Sequence, residues 1–169
     1  GGHGARRALT QRSYPARMKT RDYFAELYVA GLMGDAGWSV YFPKRDVGFD
    51  FIASKSVDGE VLIRPVQVKG LYPRDAKTDK ATYGYVGKLT QLHRDMALVL
   101  PYFPTDVTGA APSQIAWMPR NAIRLQASKG YACQPAKFAK GKTVPRPSYL
   151  KYFGLEGLEL MQGKYWGRA

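Results

Sequence analysis

With 169 residues, 45% of them hydrophobic and 23% charged, the chain is long enough for one domain with a real core and is ordinary in polarity. Its 26 Lys+Arg stand against 13 Asp+Glu, and the resulting +13 charge, with a pI near 9.9, points to a polyanionic partner, nucleic acid ahead of a membrane surface. Cys133 is the only cysteine, which excludes an intrachain disulfide and a thiolate zinc site, and no apolar run reaches membrane-spanning length.

No signal-peptide pattern opens the chain, so the cytoplasm is the expected compartment. Residues 1–21 hold six Lys/Arg and no acid, and read as a basic N-terminal arm ahead of a single domain over 22–169. Thr20 is a candidate N-cap with Asp22 in the first turn, and a helix is predicted from there to about Met33. Phe24, Leu27, Tyr28, Gly31 and Leu32 form one stripe, while Glu26 shares a face with Val29, Ala30 and Met33. A helix apolar on nearly every side is expected to be buried, and Glu26, the one charge in its middle, then needs a partner. Gly34 or Gly37 ends it.

Three strands are expected next: Trp38 to Phe42, Val47 to Ser54 and Val61 to Lys69. Asp58-Gly59 is a hairpin signal between the last two. Alternation puts Asp50 with Ile52 on one face of the second strand, and Phe49 with Phe51 on the other. On the third strand Gln67 and Lys69 share a face opposite Val66 and Val68. An acid and a lysine inside apolar strands are the placement that needs explaining. Pro65 marks an imperfect ladder or a free strand side. A helix is predicted from about Val86 to Arg94, a strand over Met96 to Phe103, a short strand over Ile115 to Met118, and a helix from Pro119 through Leu125. The tail from Leu155 to Trp166 reads as an amphipathic element covering the sheet.

From Val107 to Leu155 there is no acid, but eight Lys/Arg interleaved with Tyr131, Phe138, Tyr149, Tyr152 and Phe153. Basic and aromatic residues mixed in this way suit phosphate contact with base stacking. The nucleic-acid-binding candidates are Arg120, Arg124, Lys140, Lys142 and Arg146, with Lys44 and Arg45 from the loop before Asp50. Asp46 reads as a solvated loop acid and His93 as an exposed residue without a role.

Asp50 and Glu26 would supply hard oxygen ligands for Mg²⁺, an ion that keeps several waters and accepts one or two carboxylates plus a substrate phosphate. The Val68 main-chain carbonyl is a further candidate ligand. The Gln67 amide oxygen brings no negative charge, so a site with Gln there holds Mg²⁺ less tightly than one with Glu. Lys69 is placed to help deprotonate the attacking water or to stabilise charge developing on the phosphate.

The ordered set is a helix with Glu26, then Gly37-Trp38 and a strand, then Gly48-Phe49-Asp50, then an apolar strand ending in Gln67-Val68-Lys69. It resembles the PD-(D/E)xK nuclease superfamily over roughly residues 20–125. The spacing from Glu26 to Gly37 and the later Trp117-Met118-Pro119-Arg120-Asn121-Ala122-Ile123 look like the Holliday-junction-resolvase-like branch. The Gln-x-Lys variant is similar to that of certain homing endonucleases. The resemblance implies an α/β, restriction-endonuclease-like core: a central mixed β-sheet flanked by helices. It also implies a Mg²⁺-dependent endonuclease (Mn²⁺ substituting) acting on branched or site-specific duplex DNA. Asp50, Gln67, Lys69 and Glu26 take the catalytic places, with metal at Asp50, Gln67, Val68 and Glu26. A homodimer is the expected form, because two sites cut two strands. Gly48-Phe49-Asp50 stands where the family has Pro-Asp, and Gln67 where it has an acid. A nucleic-acid-binding module on the same scaffold and a ribonuclease are the alternatives.

Overall fold

The computed structural model describes residues 17–72, 85–87, 92–126, 130–139 and 142–168. It is an α/β structure around a mixed five-stranded sheet. The chain opens with α1 (Arg17–Asp35), followed by β1 (Ser39–Tyr41), β2 (Phe51–Val57) and β3 (Glu60–Val68). Then come β4 (Tyr85–Gly87), β5 (Ala97–Tyr102) and β6 (Gln114–Pro119), a 3-10 turn (Arg120–Ala122), β7 (Arg124–Gln126), β8 (Gly130–Ala132), β9 (Ala136–Ala139) and β10 (Lys142–Pro145). A 3-10 helix (Pro147–Tyr152) leads into α2 (Gly154–Leu160). Among the described residues, α1 and α2 are the two α-helices, and neither is long and apolar enough to cross a membrane.

The sheet order is β1-β2-β3-β5-β6, with β3 and β5 parallel and every other neighbouring pair antiparallel. The β2–β3 hairpin runs from Phe51 opposite Val66 to Val57 opposite Glu60. Asp58 and Gly59 between them have φ of 50° and 80°, the left-handed pair that a two-residue hairpin turn demands. Beyond β3 the parallel pairing continues without a break. Lys69 N–H donates to Val99 at 2.9 Å, Leu71 N–H to Pro101 at 2.9 Å, and Phe103 N–H back to Leu71 at 2.8 Å. Pro65 sits just before the first β3–β5 pair, Val66 with Ala97, so its missing N–H falls where β3 is paired with β2 only.

Each sheet face has its own core. One is built from Ala25, Val29, Ala30 and Met33 of α1 on Val66, Val68, Val99 and Trp117, closed by Leu158, Met161 and Trp166. The other packs Leu98, Leu100, Tyr102 and Met118 against Phe49, Ile123, Cys133 and Phe138. Both α-helices therefore lie on one face. Short strands and the Pro147–Tyr152 3-10 helix cover the other, where a sheet flanked by helices was expected. Every residue of β5 is buried, as a strand covered on both faces must be. The tail does cover the sheet, as expected.

Several boundaries differ from expectation. Helix α1 begins at Arg17, inside the segment read as an arm, so Thr20 is a helix-interior residue rather than a cap. Arg, Met and Lys are good helix formers and nothing in Arg17–Arg21 breaks the turn. The end is the one expected of Gly37. Its φ is +89°, its N–H bonds to the Gly34 carbonyl and that of Trp38 to Met33, both at 3.0 Å. The helix is not buried all round: Glu26's own neighbours Ala25, Val29 and Met33 are sealed, while Tyr23, Leu27 and Tyr28 are exposed. The chain enters β2 at Phe51, because Gly48 (φ 83°) bends Val47–Asp50 out of the extended form. That bend puts Phe49 in one core and Phe51 in the other, not on a shared face. The helix expected over Val86–Arg94 is not found in its described part: Tyr85–Gly87 is a strand paired with β8, and Arg94-Asp95 is a turn. After Pro119 the helical path stops at one 3-10 turn. Buried Ile123 and the pairing of Arg124–Gln126 with β8 favour extended chain there.

Among the described residues Arg64 is the buried charge, 5% exposed. Its Nε donates to the Met161 carbonyl at 3.0 Å and its Nη2 to Gly163 at 3.1 Å, tying β3 to the turn after α2. Burial pushes its pKa down. Arg64→Ala strands two carbonyls and leaves a cavity. It is expected to cost about 2–4 kcal/mol, read as a lower midpoint in urea with an unchanged slope.

Candidate active site

Asp50 sits at the mouth of the hairpin, where its N–H donates to the Val66 carbonyl at 2.9 Å and holds the residue in line with β3. Its carboxylate is fixed from β3 as well. Val68 N–H donates to Oδ2 at 2.6 Å, and Gln67 Nε2 donates to the same Oδ2 at 2.9 Å. Both bonds fall on one oxygen, which leaves Oδ1 clear of them. Gln67 therefore meets Asp50 as a neutral donor where an acid would have repelled it.

Helix α1 brings the second carboxyl. The Glu26 side chain is hydrogen-bonded to Asp50. The helix packs closely at Gly70, where a Cβ would come within 3.2 Å of the Ala25 Cβ and 3.3 Å of the Phe103 ring. Two carboxyls in contact cannot both ionise freely, so the pair favours holding one proton between its two groups. Burial, followed by the Asp50 charge, raises the Glu26 pKa to about 7. Burial also raises Asp50, against the lowering pull of the Val68 N–H, the Glu26 hydrogen bond and Lys69.

Lys69 lies one residue past β3, with its backbone pinned to β5. Its charge lowers the proton affinity of Glu26, Asp50 and Asp22 without a direct ion pair among the described residues. Asp22 is the member that the sequence reading had placed only as a helix-start acid. It lies one turn before Glu26, and the i, i+4 spacing was the available signal. Its carboxyl is raised by loss of solvent, with Lys69 opposing.

The donor set suits a hydrated, oxygen-seeking divalent cation. It comprises two carboxyls held together by a proton, a neutral amide and the Val68 backbone, with no sulfur or imidazole among them. The shared proton occupies the role a cation would take, since either one relieves the repulsion between Glu26 and Asp50. Among the described residues no three His, Cys, Asp or Glu side chains form a metal-binding group on their own, so any ion held here would keep several waters.

The basic candidates divide. Lys44 and Arg45 are exposed in the β1–β2 loop, where Asp46 Oδ1 accepts the Gly48 N–H at 2.9 Å and shapes the approach to Asp50. Arg120 is half-buried and its Nη1 donates to the Ile123 carbonyl at 3.1 Å, holding the 3-10 turn. Arg124 and Arg146 line one cavity, Lys142 is exposed on β10, and Lys140 lies outside the described residues. The interleaved aromatics pack inward. Phe138 is buried and Tyr131, Tyr152 and Phe153 lie against the second core, while Tyr149 also borders the cavity. His93 is exposed and its Nδ1 accepts the Asp95 N–H at 3.0 Å. The chain matches no protein-family model and no curated protein.

Proposed function

We propose that the Glu26–Asp50–Gln67–Lys69 cluster is the active site of a divalent-cation-dependent endonuclease that hydrolyses phosphodiester bonds in DNA, branched or duplex. The observation that carries this reading is the Asp50 carboxylate. It is held by two donors on one oxygen, hydrogen-bonded to Glu26, and lies within the field of Lys69. The fold adds support. A mixed sheet in the order β1-β2-β3-β5-β6, with Asp50 and Lys69 at neighbouring strand ends and an acid from the packed helix, agrees with a restriction-endonuclease-like core. The +13 charge supplies the attraction for a polyanion.

Bound Mg²⁺ or Mn²⁺ would contribute Lewis acidity toward water and the scissile phosphate. The chain's own residues do the rest. Asp50 and Glu26 give up their shared proton and offer carboxylate oxygens. Gln67 and Val68 N–H keep the Asp50 carboxylate from rotating, so its geometry is set before substrate arrives. The Lys69 ammonium, fixed through its backbone on β5, stabilises charge developing on the phosphate oxygens. A homodimer would place two such sites on the two strands of a duplex.

The test is incubation of the full chain with plasmid, branched DNA and an RNA panel in Mg²⁺ or Mn²⁺, and chelation with EDTA. The reading expects metal-dependent strand scission of DNA and none after chelation; RNA-only scission makes the protein a ribonuclease. The neutral Gln67 donor favours one second reading, a nucleic-acid-binding module whose site no longer cuts. Binding without scission of any substrate in either metal decides for it.

Gln67 also yields a graded prediction. Gln67→Glu replaces a donor to Asp50 with a third negative charge. Without metal the variant melts lower than wild type; in Mg²⁺ the order narrows or reverses. Its Mg²⁺ affinity rises by about tenfold, on the order of one charge-assisted contact. Calorimetric titration and thermal melts with and without Mg²⁺ check both halves.

A further inference from the structure

A second site stands apart from the Asp50 cluster and shares no residue with it. Strands β7 and β8 and the 3-10 helix Pro147–Tyr152 border a solvent-open cavity of about 350 Å³, with Arg124, Arg146, Gln126, Gln134, Ser148 and Tyr149 along it. Two guanidinium side chains share it, and among the described residues no acid lines it. None is supplied by the surrounding sequence either, since Val107 to Leu155 contains no Asp or Glu. The Arg146 Nε is buried and has no hydrogen-bond partner among the described residues. A buried donor without an acceptor is costly, and two guanidinium groups bordering one cavity favour an anion there. Cys133 forms part of the wall, and burial pushes its thiol up to about 12, so it stays neutral and adds no competing charge.

We propose that this cavity binds one nucleotide unit of a nucleic-acid strand, with the phosphate on Arg124 and Arg146 and the base against Tyr149. Planar guanidinium forks suit phosphate, and two of them border this cavity. The volume lies at the lower end of small-ligand sites, which run from about 300 to 1,000 Å³, and leaves room beyond a phosphate for a sugar and base. The Tyr149 ring offers a stacking surface, and the Gln126 and Gln134 amides each carry a donor and an acceptor for a base edge. A base reaching such a cavity must be out of a duplex stack, so the site selects strands with unpaired nucleotides. This deepens the nucleic-acid reading but does not need the Asp50 cluster to cut.

The experiment is isothermal titration of the full chain, carrying Asp50→Ala and without divalent metal, so that catalysis has no bearing on the readout. The ligands are a nucleoside 5′-monophosphate, the matching uncharged nucleoside and inorganic phosphate. The monophosphate is expected to bind at least about tenfold more tightly than either of the others. Arg124→Gln and Arg146→Gln each weaken it by about tenfold or more. Arg146→Lys keeps the charge and still weakens it, because the fork is lost. Tyr149→Leu lowers the preference for the nucleotide over inorganic phosphate. Arg124 is exposed, so its variant tests the site without disturbing the core. Equal affinity for phosphate and nucleotide, equal affinity for nucleoside and nucleotide, indifference to both arginine variants, or no binding overturns the proposal. Loss of DNA scission in a separate metal-containing assay leaves it standing.

Discussion

Asp50→Asn is expected to lower DNA scission by about 10³-fold or more while the protein stays folded and still binds DNA, a loss of roughly 4 kcal/mol of transition-state stabilisation. Asn is the informative replacement because its amide oxygen still accepts the Val68 N–H, the 2.6 Å bond that aligns the hairpin mouth. Asp50→Ala leaves that N–H without its acceptor and so mixes a fold cost of about 1–3 kcal/mol with the chemical one. Lys69→Ala should lower scission on the same scale, and Lys69→Arg should recover only part of it, because the guanidinium places its charge differently. Neither Lys69 variant should move the melting midpoint much, since that side chain makes no direct ion pair among the described residues. The measurement is single-turnover cleavage of labelled DNA, with binding followed separately at low salt. Retained cleavage in Asp50→Asn would exclude this cluster as the active site.

The shared proton gives the second large effect. Glu26 has a folded-state pKa of about 7, raised from an ordinary 4.5. Between those values the folded chain holds a proton that the unfolded chain has released, so stability falls as pH rises through that window. Glu26→Gln removes the dependence. Variant and wild type should match near pH 4, and the variant should be more stable at pH 8, by roughly 1 kcal/mol once solvent screening of this part-exposed group is allowed for. Mg²⁺ binding follows the opposite course, because the cation needs the deprotonated pair. Wild-type affinity should drop by about tenfold per pH unit below pH 7. Glu26→Gln should bind Mg²⁺ more weakly at pH 8 and show a flatter profile. Melting curves and titrations across this range read both effects, and a wild-type Mg²⁺ affinity independent of pH would mean that Glu26 is not part of the site.

That Asp50, Gln67, Lys69 and Glu26 come together was legible in the sequence because each interrupts an apolar pattern that a core would otherwise continue. The Asp58-Gly59 hairpin and the Gly37 helix end were legible because left-handed backbone positions select few residues. Asp22 was passed over although its i, i+4 spacing to Glu26 was visible, because a first-turn acid needs no partner beyond the helix dipole; α1 starts at Arg17 and leaves it inside the helix. The division of Phe49 and Phe51 between two cores depends on the bend at Gly48, and alternation cannot see a bend. The second sheet face was the least legible. Its cover comes from strands of three or four residues, too short to carry a period, and the Arg124–Arg146 cavity arises from residues twenty-two positions apart.

The central claim is that Asp50 and Glu26 exchange their shared proton for a divalent cation. Crystals of the chain grown with Mn²⁺ at pH 8 test it most directly through anomalous scattering. An anomalous peak between the Asp50 and Glu26 carboxyls, with Gln67 or the Val68 carbonyl beside it, is the predicted result. An intact Glu26–Asp50 hydrogen bond with no peak there at saturating Mn²⁺ would contradict it.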